Sequence, residues 1–310
     1  MQVRVENLKR YFRRTRALDG ISFAFESGRI VAFVGPNGAG KTTTLRILAT
    51  VDEPTAGDAF VDGTSVVEDP EKARHLVGFM PESVPAHGDM TAHEYLDFYA
   101  RAYGLRDPRR TETVRSIEAF TGLAHLREKT VVSLSKGMKQ RVSLARAIVH
   151  DPPVLLLDEP AAGLDPRARI ELRELLGLLA RQGKAILVSS HILTELSEIC
   201  DDAVIIERGK IVRVGKVDDL LSRDTGRRLV RIRSLSPLPD LLKTVVQMPG
   251  VEEGRIEGRY VEAVVGSGDE TLCRTLLATL VGRGVPVVEF THHKADLEDI
   301  FMSVTKGETQ

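Results

Sequence analysis

Three stretches of this chain combine residue types that can do chemistry on a phosphate. The first runs Gly35-Pro36-Asn37-Gly38-Ala39-Gly40-Lys41-Thr42-Thr43. Its glycines let backbone N–H groups wrap a phosphate chain at the start of a helix; Lys41 then contacts the β and γ phosphates and Thr42 holds Mg²⁺. The second is Asp158-Glu159, at the end of Val154-Leu155-Leu156-Leu157. Two adjacent acids at a strand end suit a metal and a base, with Asp158 on the cation and Glu159 orienting or deprotonating a water. The third is Leu134-Ser135-Lys136-Gly137-Met138, where Ser135 is a good N-cap and the small Gly137 leaves the helix N-terminus open to an anion. An N-cap that holds no ligand is the plain alternative for that third stretch.

These residues need elements to position them. Ile30 to Val34 is continuously apolar, as in a strand buried on both faces of a parallel sheet. The phosphate loop follows it directly, and Leu45, Leu48 and Ala49 then fall at helical spacing, with Pro54 and Gly57 as stop signals. Val154 to Leu157 and Ala185 to Ser190 are two more strands of the buried type, separated by a helical stretch, and that alternation predicts a parallel α/β sheet. Before the phosphate loop the apolar residues alternate, at Val3 to Leu8 and at Ile21 to Phe25, as in half-buried strands. Between the first and second of these buried strands lies a helical insertion, roughly residues 83–130, with Tyr95, Phe98, Tyr99 and Ala102 on one face. Arg208-Gly209-Lys210 marks a hairpin. From Leu229 the order strand, helix, two strands, helix, strand predicts a small α+β ferredoxin-like domain over 228–310, after a first domain over 1–220.

Composition narrows the class. The 310 residues carry a net charge of −1 and a pI near 6.7, so no overall field draws in nucleic acid. Two distant cysteines, Cys200 and Cys273, fit a reducing compartment and argue against a disulfide or zinc scaffold. No apolar run reaches the length needed to span a bilayer, and the first ten residues lack a signal-peptide pattern. The expectation is a cytoplasmic protein whose membrane role, if any, is supplied by another polypeptide.

With its flanking Lys139-Gln140-Arg141, the third stretch resembles the signature motif of the ABC (ATP-binding cassette) ATPases, usually written LSGGQ, with Lys136 and Met138 as departures. The remaining family motifs follow in order: Pro160 to Pro166 resembles the D-loop, with Asp165 at a dimer interface, and His191 resembles the switch histidine. Glu82 stands where most members carry the Q-loop glutamine, and Tyr11, with Phe12 as its rival, where an aromatic stacks on adenine. The resemblance covers about residues 1–220 and implies a P-loop NTPase cassette of the α/β class: a parallel-sheet core, an N-terminal antiparallel part and a helical insertion. It further implies ATP and Mg²⁺, with Thr42, Asp158 and Glu82 at the metal and Glu159 and His191 at the reacting phosphate. Two copies, or one copy and a paralogous cassette, would sandwich ATP head to tail, with Ser135 and Gly137 of one reaching the nucleotide held by Lys41 of the other. The implied role is the ATPase subunit of an export-type transporter, peripheral on the cytoplasmic membrane face, moving a separate integral-membrane permease that docks on the insertion. A soluble ABC ATPase acting on ribosomes or nucleic acid, and a motility or regulatory membrane machine, stand as alternatives. The tail, with Leu297, Ile300, Phe301 and Val304 on one helical face, resembles that of drug-export subunits.

Overall fold

Alternation builds the first sheet. Along β1 (Gln2–Phe12) Val3, Val5 and Leu8 are buried while Gln2, Arg4 and Glu6 face solvent, and β2 (Thr15–Glu26) answers with buried Ile21, Phe23 and Phe25, the period-two pattern of a sheet with one wet face. The next strand, β3 (Ile30–Val34), is buried at every residue and leads into the phosphate loop and α1 (Lys41–Leu48). That helix ends well before Pro54. Thr50 adopts φ 56°, and its N–H and that of Val51 turn back to the carbonyls of Ile47 and Arg46, the paired bonds of a Schellman cap with threonine in the place glycine favours. β4 (Ala56–Val61) and β5 (Thr64–Ser65) then complete an antiparallel sheet of order β2-β1-β4-β5.

Helix α2 (Pro70–Leu76) leads to β6 (Val77–Met80). The insertion holds α3 (Ala92–Ala102), opened by a capping box between Thr91 and Glu94, and α4 (Arg109–Phe120). The buried stripe of α3 is Ala92, Tyr95, Leu96 and Ala100, whereas Phe98 and Ala102 face out, so the expected stripe through Phe98 and Ala102 is corrected. Tyr95, Tyr99 and Tyr103 follow one another at i, i+4, and that row turns inward. Next come α5 (Lys136–Ile148), β7 (Val154–Leu157), α6 (Pro166–Arg181), β8 (Ala185–Ser190), β9 (Asp202–Glu207) and β10 (Lys210–Lys216). β9, β3, β8, β7 and β6 are parallel neighbours, and β10 closes one edge by an antiparallel hairpin through Arg208 and Gly209, both at positive φ, as a tight two-residue turn requires.

This computed structural model describes residues 1–13, 15–83, 89–190, 199–217, 227–266 and 270–294, and separates into two units, Met1–Lys216 and Val217–Gln310. The boundary thus falls at the end of β10, four residues before the expected 220, because that strand is the last element paired into the parallel sheet. The second unit runs β11 (Arg227–Ser234), α7 (Leu238–Val246), β12 (Val251–Glu257), β13 (Tyr260–Gly266), α8 (Glu270–Gly282) and β14 (Val287–Lys294). Its sheet, β12-β13-β11-β14, is antiparallel throughout and has a core of its own in Val230, Ile232, Leu241, Val261 and Leu276. Among the described residues no helix is long and apolar enough to cross a membrane.

Candidate active site

The phosphate loop is held open by backbone that only glycine tolerates. Gly40 takes φ 109°, and a Cβ there would meet the Ala17 carbonyl oxygen at 2.7 Å. At Gly35 a Cβ would lie 2.2 Å from the Ile206 carbonyl oxygen, so the loop can leave β3 only where β9 passes this close. Lys41, 6% exposed, folds back over the loop and donates from Nζ to the carbonyls of Gly35 at 2.7 Å and Pro36 at 3.3 Å. Burial lowers the Lys41 ammonium from its ordinary value, opposed by the charges of Glu159, Asp158 and Glu82. The first turn of α1 carries no acid, so the positive end of its dipole is left for an anion.

A cleft of about 450 Å³ opens above this loop. Asn37, Gly38, Gly40, Lys41, Thr42, Thr43, Glu82 and Glu159 line it, together with Phe12. Pro36 lies beneath as an acceptor for Lys41, and Ala39 is buried in the core. Phe12, and not Tyr11, lines the cleft: neighbours on a strand point to opposite faces, and the Tyr11 hydroxyl donates to Asp19 at 3.2 Å.

Asp158 is 2% exposed at the end of β7; its Oδ1 accepts from the Thr42 hydroxyl at 3.2 Å and the Ser189 hydroxyl at 2.7 Å. Ser189 also accepts from the Glu159 N–H at 2.9 Å. One buried hydroxyl on β8 thus sets both acids, a role the sequence reading did not assign. Its signal was a pair of hydroxyls, Ser189 and Ser190, closing a buried strand that is apolar up to Val188. Glu159 sits at φ 49°, a region costly for a residue with a Cβ, and its Oε1 lies 3.5 Å from Lys41 Nζ. Among the described residues no three His, Cys, Asp or Glu side chains gather as a self-sufficient metal cage. Thr42 and Asp158, with Glu82 on the cleft wall, fit Mg²⁺, which takes one or two carboxylates and completes its shell from phosphate and water.

Ser135 and Gly137 do not reach this cleft. Ser135 caps α5, accepting from the Met138 N–H at 3.4 Å, and is exposed. Gly137 lies near Leu164 and Ala168, while the Lys136 side chain lies over Gly163. Asp165 caps α6, accepting from the Ala168 N–H at 3.0 Å. His191 and the tail beyond residue 294 lie outside the described residues.

Comparison with known proteins agrees with this geometry. The family model described as "ABC transporter" matches residues 18–162. The chain is 32% identical over 98% of its length to the Nod factor export ATP-binding protein I of Ralstonia nicotianae, covering 94% of that protein. A solved ATP-binding subunit of an ABC transporter matches 73% of this chain and 94% of its own, at 30% identity and TM-score 0.66. An ATP-binding cassette solved as a dimer in a post-hydrolysis state with ADP and Pi matches 69% of this chain and 98% of its own, at 25% identity and TM-score 0.63.

Proposed function

The chain belongs to the ABC transporter family as an ATP-binding, ATP-hydrolysing subunit, and from that premise we propose that it drives a separate integral-membrane permease in export by closing head to tail on ATP with a second cassette. The observation that carries the reading is the distance between two half-sites. Lys41, Thr42 and Glu159 line one cleft, while Ser135 and Gly137, the anion-binding start of α5, lie outside it. A second copy brings them together: Ser135 and Gly137 of one chain complete the phosphate site that Lys41 and Thr42 of the other begin, and Asp165 lies at the seam.

In this reading the loop amides and Lys41 hold the phosphates in line. Thr42, Asp158 and Glu82 would hold Mg²⁺, which supplies positive charge against the phosphate oxygens. Glu159, fixed through its N–H by Ser189 and drawn toward Lys41, takes a proton from the attacking water; His191 is the further group assigned to the γ phosphate. Loss of that phosphate removes the charge both halves grip, and the pair opens. The permease docks at the insertion, where a groove of about 210 Å³ runs between Val51, Phe79, Tyr99, Tyr103 and Arg146. Export rests on the relative's printed role, and a place on the inner membrane face follows from the docking.

The test is Glu159→Gln with ATP, followed by light scattering. A particle of twice the 34.1 kDa chain mass that forms with ATP and not with ADP, together with turnover lowered by at least about 100-fold, is expected. A monomer at saturating ATP would overturn the sandwich.

A further inference from the structure

β6 is the outermost strand of the parallel sheet, so every second carbonyl on it points away from any strand partner. Met80 faces inward, its carbonyl accepting from the Asp158 N–H at 2.8 Å; by strand alternation Val77 and Phe79 face out. Both outward carbonyls are taken by side chains of α5 and of the turn that follows it. His150 Nε2 donates to Val77 at 3.2 Å and Arg146 Nη2 to Phe79 at 2.7 Å. Further along, Gln140 Nε2 donates to the carbonyl of Glu82 at 3.3 Å.

The order is reversed between helix and strand, 140, 146, 150 against 82, 79, 77, so α5 lies antiparallel to β6. From Gln140 to Arg146 the helix advances about 9 Å, and the three residues of chain from Phe79 to Glu82 reach at most about 10 Å, so these two donors keep step with their acceptors. The helix that begins at Ser135 thereby grips the segment that ends at Glu82. Arg146 has a second partner as well. Its guanidinium lies over the Tyr99 ring, 5.2 Å from the centroid, on the wall of the groove, and Tyr99 touches the exposed ring of Phe98, with centroids 5.3 Å apart.

We infer that Arg146 and Gln140 are positioning residues that tie the state of the nucleotide cleft to the shape of the groove at Tyr99. The inference rests on the reading of cleft and groove given above. Neither residue lines the nucleotide cleft; each acts through the backbone of the segment that carries Glu82. Coupling between two sites is reciprocal. What a docked partner does to Glu82 through Arg146, bound nucleotide must therefore do to Tyr99, and the link is measurable in this chain alone.

The chain has no tryptophan, so Phe98→Trp places a single reporter beside Tyr99. ATP with Mg²⁺ is titrated into this variant, with emission and calorimetry followed in parallel. Saturation is expected to shift the emission. Arg146→Gln added to the reporter is expected to abolish most of that amplitude while the ATP Kd stays within about threefold, and Arg146→Lys, which keeps a charge over the ring and one donor, to restore part of it. Gln140→Leu carries the same expectation and stands in where Arg146→Gln fails to fold. Full amplitude in both variants, or a silent reporter with ATP bound, overturns the link alone. Absence of ATP binding in the reporter chain overturns the reading of the cleft and the link with it.

Discussion

The parallel sheet of the first unit and the antiparallel sheet of the second spend their polar residues differently. Strands β3, β7 and β8 are buried along their length, which leaves polar side chains to their C-terminal ends, and those ends all lie at one edge. Asp158, Ser189, Lys41 and Thr42 converge there because parallel strands deliver every chain to the same side. In the second unit neighbours run in opposite directions, so one face of the sheet becomes the polar surface. Arg255, Glu262 and Arg231 sit opposite one another across three strands, with Glu262 Oε2 at 2.7 Å from Arg255 and Oε1 at 2.6 Å from Arg231. The first arrangement focuses charge on a point, at the wall of the cleft, and the second spreads it along a row.

The largest expected effect strikes the focused site. Lys41→Ala removes the cation that faces three carboxylates, Glu159, Asp158 and Glu82, and should weaken ATP at least about 100-fold, the scale of breaking a buried charged arrangement; calorimetric binding within threefold of wild type would remove Lys41 as a phosphate ligand.

Acid separates the two units next. Burial lowers His150 to about 4, against the Val77 carbonyl that accepts its hydrogen bond. Its neutral form is retained in the fold while the unfolded chain gains a proton, so stability is full above the ordinary value and falls as pH drops from about 6.5 toward 4. The loss is on the order of 2 kcal/mol after discounting for partial exposure, and His150→Phe should flatten it in denaturant melts between pH 7.5 and 4. Glu262 titrates in a lower window. Burial pushes its carboxyl up, and the donated bonds and charges of Arg255 and Arg231 outweigh this and hold it below the usual range. The stability it lends is present above that range and is lost as pH falls through the lowered value.

Third, Glu262→Ala should cost the second unit about 1 kcal/mol, since its two arginines stay solvated, and leave ATP turnover unchanged; a fall in turnover would show that the row serves the cleft after all. The smallest effect separates two neighbours on β1. Phe12→Ala, on the cleft wall, should weaken ATP by about 1 kcal/mol, and Tyr11→Ala should not change it; the reverse result in a nucleotide titration would restore Tyr11 as the stacking residue.

Much of the site was legible because its chemistry is local in the chain. A phosphate loop is one run of backbone with glycines at fixed offsets, and Asp158-Glu159 announces itself by following four apolar residues. Ser189 was harder to see, since a hydroxyl acquires its role only when β8 lies beside β7. Which of Tyr11 and its rival Phe12 faces the cleft was equally hidden, because the facing of a strand with register shifts near Leu8 and Tyr11 depends on its partner. The expected stripe on α3 failed at Phe98 and Ala102 for a related reason: helical spacing says which residues share a face, and packing decides which face turns inward.

By itself, then, the sequence determined the elements, the family and the glycine-rich loop that lines the cleft, because periodicity and short motifs are written in consecutive positions. Only the tertiary structure decided that Ser189 orders both acids and that Arg146 and Gln140 hold the backbone from Phe79 to Glu82. Each of these joins positions dozens of residues apart, and hydrogen bonds of about 3 Å exist only once packing has brought both partners into place.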